Sequence, residues 1–346
     1  MSDKDSVKKK FLSEIPGAVE DWNEHILEHA NEDEKLEHQK ILDEQEEHGN
    51  VTNYNLGRDL WYSNEYFLEC QIKDLLGYVE DDEVLYEELR NIYVGLTAKR
   101  DPNAMAMNID VEFAGYLITI NIGMEMGLHL ISDFISQYLY FRQIDDKSER
   151  EKLVLEMIDL FFCLVNDDYF AEHIDKFLKE SHSDIDLESS RKVIASHLFE
   201  GGMKFVLGHE IGHHILRHTT LDKRYIVSKF IPELNASPEQ LDEFAADNFG
   251  FDLLIRGMKE INSHFLFAPL IVILMLAIRD DCPEKSSKEH PSLRDRYLNL
   301  LSKISEVDKN LATRFQEILN EIASWIRNSY NDQFVHWKTE WWKGTY

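Results

Sequence analysis

Hydrophobic positions recur at three- and four-residue spacings through most of the chain, the period of helices that bury one face. The pattern runs through residues 61–99, 124–141, 149–166 and 193–216, and again through Leu311, Phe315, Ile318, Ile322 and Trp325. A second rhythm interrupts it once. Residues 104–108 are short and apolar, and residues 116–122 are rich in β-branched side chains, with Gly115 and Gly123 at either end. That pattern predicts a hairpin or two edge strands. Arg100-Asp101-Pro102-Asn103 is a turn signal and the best boundary along the chain. The fold class expected is α+β, mostly α.

The most apolar stretch is residues 265–278, fourteen positions without a charge. As a helix it spans about 21 Å at ~1.5 Å per residue, short of the ~30 Å hydrocarbon core of a bilayer. With Pro269 inside it and Arg279-Asp280-Asp281 after it, a buried core helix is expected rather than a membrane span. Trp337, Trp341 and Trp342 near the end predict a satellite cluster packed on the body, a partner surface being the alternative.

Charge narrows the partners. The 346 residues hold 37 Lys and Arg against 65 Asp and Glu, a formal charge of −28. Such a field repels phosphate, so neither nucleic acid nor an anionic membrane is an expected partner. Residues 1–50 carry fifteen acids and six lysines, and read as a solvated helical face or a docking arm for a regulatory partner. The three cysteines share no short spacing, so a disulfide framework is not expected and a reducing compartment, the cytoplasm, fits best. The first residues have a short basic run with no apolar stretch behind it, unlike a signal peptide.

One motif carries chemistry. His209-Glu210-Ile211-Gly212-His213 lies inside the helical pattern of residues 193–216. Four residues make about one helical turn, so both imidazoles leave the same face and suit Zn²⁺. Glu210, beside the first histidine, is placed to take a proton from an activated water without binding the metal. His214 and His218 fall off that face and are not expected to be ligands. Downstream, Glu243 and Asp247 lie one turn apart. A carboxylate ligand at Glu243 leaves Asp247 to hold a ligand imidazole by its other nitrogen, and Ala245 and Ala246 would let the two helices approach closely.

These pieces resemble the gluzincin metallopeptidases of the CAAX-prenyl-protease type. Asn103-Ala104-Met105-Ala106 looks like the family's edge-strand motif, with Met105 where an aromatic is usual. His209 to His213 is the zinc helix, Glu243 with Asp247 the Glu-x-x-x-Asp helix, and His290-Pro291 with Arg296 resembles the His-Pro segment. The resemblance covers about residues 103–296. Absence of several spanning helices points to a soluble relative, similar to the phage-exclusion (Lit-type) peptidases, which cut a host translation factor.

The resemblance implies a zincin-like catalytic core over residues 101–346, with its small strands beside the zinc helix and residues 1–100 as an acidic helical N-terminal region. It implies one Zn²⁺ on His209, His213 and Glu243, Glu210 as general base, and His290 or Arg296 as oxyanion donor. A protein or peptide substrate would add as a strand beside residues 116–122, next to the strand of Asn103, Ala104 and Ala106. The rival from another class is a non-catalytic protein-binding module that keeps a structural metal or only the helix.

Overall fold

A computed structural model describes residues 3–20, 64–107, 116–171, 190–216, 218–219, 236–258, 262–330 and 337–343, with six single positions between 25 and 36. Of the acidic residues 1–50, those after 20 lie almost wholly outside the described residues, as do residues 108–115 at and after the end of the first expected strand.

The described chain is mostly helical with one small sheet. Helix α1 is Asp3–Glu14, α2 Asn64–Gly77 and α3 Glu83–Leu89. Strands follow at β1 Ile92–Thr97, β2 Ala104–Met107 and β3 Tyr116–Asn121. Then come α4 Ile122–Phe141, α5 Lys147–Val165, α6 Ser190–Ile215, α7 Pro238–Arg256, α8 Ser263–Ile278, α9 Leu293–Val307 and α10 Lys309–Tyr330. Side-chain caps set several starts: Asp82 for α3, Asp146 for α5, Asn262 for α8 and Ser292 for α9.

The sheet order is β1-β3-β2, with β1 parallel and β2 antiparallel to β3. Two expectations need correction here. Residues 92–97 are a strand, not the end of a helical run. All six are buried on both faces, so the alternation that marks a half-exposed strand is missing from them. β3 is the central strand, so no substrate can add beside residues 116–121; β1 and β2 are the edges, and the edge of β2 is the one that meets Glu210. β1 also lies before the expected division at residue 100 and pairs with β3 beyond it, so the sheet is built from both sides.

Period-2 alternation sorts the sheet's faces. Tyr93 and Leu117 pack with Val7 and Phe11 of α1, with Met107 beside them. Gly95 leaves room for the Phe11 ring, because a Cβ there would stand 2.5 Å from it. On the other face Val94, Leu96, Ile118 and Ile120 join the main core, with Ala104 against it. That face meets α4 and α6. Helix α8 runs through the middle of the core, with nearly every side chain buried. Among the described residues no helix is long and apolar enough to cross a membrane. Trp337, Trp341 and Trp342 are fully part of the main core rather than a satellite, and Trp337 Nε1 donates to the carbonyl of Ala277 at 2.9 Å.

Candidate metal and active site

The site forms where α6 crosses α7. The crossing is made at backbone contact by small residues one turn apart, Gly208 and Gly212 on α6 against Ala246 and Gly250 on α7. A Cβ on Gly208 would stand 2.9 Å from Gly250 Cα, and one on Gly250 would stand 2.7 Å from the backbone nitrogen of His209. The expected closeness is therefore supplied by glycines as well as by Ala246. Ser237 and Gln240 form a capping box at the start of α7, which fixes where Glu243 emerges one turn later.

His209, His213 and Glu243 converge, their donor atoms all lying within 4.8 Å of one another. The two Nε2 atoms are 3.1 Å apart, and each is 3.6 Å from a Glu243 carboxylate oxygen. Metal–nitrogen bonds of about 2.05 Å at tetrahedral angles put ligand atoms roughly 3.3 Å apart, so the donor set fits a small divalent ion such as Zn²⁺. Burial, followed by the charge of His209, pushes His213 down to about 3, which keeps it neutral as a ligand must be.

The far sides of these groups are held as well. His209 Nδ1 is 2.9 Å from Asp247 Oδ1. Asp247 in turn accepts two bonds from Arg296, Nε to Oδ2 at 2.8 Å and Nη2 to Oδ1 at 2.7 Å. Burial alone would raise Asp247, and Arg296 with His209 overcomes it and holds the carboxyl below its ordinary value. Glu243 is treated likewise: burial is outweighed by His290, His209 and Arg296, and its carboxyl sits far below the usual range. Arg296 Nη1 is 3.6 Å from Glu243 Oε2, so its guanidinium lies behind the carboxylates. His290 is the more open, its side chain 64% exposed and its Nδ1 3.4 Å from Glu243 Oε1.

Glu210 is buried, and burial raises its carboxyl above the ordinary value. Its Oε2 accepts the Ala106 N–H at 2.7 Å. In the antiparallel ladder of β2 with β3, alternate residues turn their N–H and C=O away from the partner. Ala106 is one of these and Ala104 the other, so the free edge of β2 faces the site. Asn103, exposed at the start of the strand, gives its carbonyl to the Asn121 N–H at 2.9 Å.

Three contacts escaped the sequence reading. His214 is wholly buried, its Nε2 2.9 Å from the Leu117 carbonyl and its ring stacked on Tyr116, and so ties α6 to the sheet. His213 Nδ1 lies 2.9 Å from His218 Nδ1, and His218 Nε2 lies 3.5 Å from Asp242 Oδ1. The third is the Gly208–Gly250 crossing. Only the four-residue spacing of glycine and alanine on each helix hinted at that one.

Comparison with known proteins bears on what this site does. The profile of the Peptidase U49 family matches residues 136–316, more than half of the chain, and takes in His209, Glu210, His213, Glu243, Asp247, His290 and Arg296. The chain belongs to the Peptidase U49 family. These are the Lit-type peptidases, so the protein is assigned to the peptidases, hydrolases that act on protein substrates. The matched span begins after the sheet, so the sheet and α1 lie outside the Peptidase U49 match. No curated protein and no solved structure matches the chain.

Proposed function

We propose that this Peptidase U49 member is a zinc-dependent endopeptidase of gluzincin type, with His209, His213 and Glu243 as ligands and Glu210 as general base. One observation carries the reading: three converging donors stand beside a buried carboxylate that an edge strand holds by a backbone N–H. The motif order shared with the CAAX-prenyl-protease type supports the same chemistry.

A bound Zn²⁺ supplies Lewis acidity, making water nucleophilic near neutral pH and polarising the scissile carbonyl. The protein's own groups do the rest. Glu210, desolvated and raised, accepts a proton at a carboxylate oxygen and delivers it to the leaving amine. Asp247 and Arg296 fix the His209 ring from behind. With two of its N–H groups given to Asp247, Arg296 is a support for the ligands. His290, open on the near side, is the assigned hydrogen-bond donor to the developing oxyanion. The substrate backbone adds to the outer edge of β2 through the Ala104 N–H and C=O and the Ala106 C=O, the Ala106 N–H being held by Glu210, a mode with weak sequence demands.

The test uses the purified chain, zinc uptake by equilibrium dialysis and cleavage of unfolded casein by mass spectrometry. One zinc per chain is expected, with cleavage that falls about 10²- to 10⁴-fold in Glu210→Gln while zinc stays bound. Unchanged cleavage in that variant overturns the mechanism.

A further inference from the structure

The two ligand imidazoles are supported unequally. His209 leans on a carboxylate, Asp247, whereas the far nitrogen of His213 meets another imidazole, that of His218, at 2.9 Å. Two ring nitrogens at that distance must be one donor and one acceptor. The charge beside His218 biases which is which. Its Nε2 faces Asp242 Oδ1 at 3.5 Å, with the two side chains only 4% and 7% exposed. That contact is an ion-pair distance rather than a formed hydrogen bond, but a carboxylate's negative charge beside Nε2 favours the neutral His218 that carries its proton there, and Nδ1 then accepts. His213 must then carry its proton on Nδ1, which leaves the lone pair of Nε2 facing His209 and Glu243.

The backbone makes this contact possible. On a regular helix a residue five positions on would point away from His213. Here α6 ends in a wide turn in which the His218 N–H donates to the His213 carbonyl at 2.8 Å, an i→i+5 closure. It swings the His218 ring back beside that of His213. Asp242 is supplied by α7 from the position before Glu243, so the same helix furnishes a ligand and the end of this chain of contacts.

We infer that His218, oriented by Asp242, is a positioning residue that locks His213 in the tautomer and ring orientation needed for metal binding. The inference rests on the reading of His209, His213 and Glu243 as ligands. Outer partners of ligand histidines are worth about 10- to 100-fold in metal affinity.

The experiment measures zinc dissociation constants by competition with a chromophoric chelator, with folding of each metal-free variant checked by circular dichroism. His218→Phe keeps the ring's shape and loses its nitrogens, and is expected to bind zinc about 10- to 100-fold more weakly. His218→Asn places an amide oxygen where it accepts from His213 Nδ1 and is expected to recover most of that loss. Should Phe fail to fold, His218→Ala stands in for it against the same Asn rescue. Wild-type affinity in the variant without nitrogens, or equal loss in that variant and Asn, overturns the inference. A wild-type chain that takes up no zinc overturns the ligand assignment itself.

Discussion

Arg296 and Asp247 form a bidentate pair inside the protein, with side chains 12% and 0% exposed, and Asp247 passes that fixed geometry on to His209. Breaking a buried pair from one side leaves the other charge uncompensated. Arg296→Ala should therefore cost about 3–5 kcal/mol, far more than a surface ion pair. The measurement is urea unfolding of the metal-free protein, where a lower midpoint at unchanged slope is expected. A loss below about 1 kcal/mol would show that Asp247 does not depend on Arg296.

The α6–α7 crossing has no room for a side chain at Gly250. Gly250→Ala should destabilise by about 1–3 kcal/mol and weaken zinc binding, since the helices that carry the ligands must separate. Gly77→Ala is the matched control, because nothing lies within 4 Å of a Cβ there. It should be neutral or slightly stabilising. Thermal unfolding with zinc titration separates the two.

Glu125, in the first turn of α4, is buried and pushed up to about 8 by burial. The folded protein then keeps a proton that the unfolded chain loses near its ordinary value of 4.5. Stability from this group is full below pH 4.5 and falls as pH rises to about 8, at up to ~1.4 kcal/mol per pH unit. Glu125→Gln should remove that slope, raising the melting temperature more at pH 8 than at pH 5. Equal shifts at both values would refute it.

Zinc that binds only the folded chain should stabilise it by mass action, about 4 kcal/mol at a thousandfold excess over the dissociation constant. Calorimetry with and without zinc should show this gain in the wild type and lose it in His209→Ala. An undiminished gain in that variant would place the metal elsewhere.

The helices and the His-Glu motif were legible because helical geometry is local. Four residues are one turn, so His209 and His213 had to share a face, as Glu243 and Asp247 did, wherever their helices went. The buried helix at residues 263–278 was likewise readable from length and flanking charges alone. Nothing local could show β1 as a strand, since its register depends on β3 some twenty residues away and its full burial erases the alternating pattern. The free edge at Ala104–Met107, the Gly208–Gly250 contact, the return of His218 to His213 and the burial of the three tryptophans were likewise decided by tertiary structure. Each depends on which segment lies against which, and on whether a Cβ, a ring or an N–H finds space and a partner there.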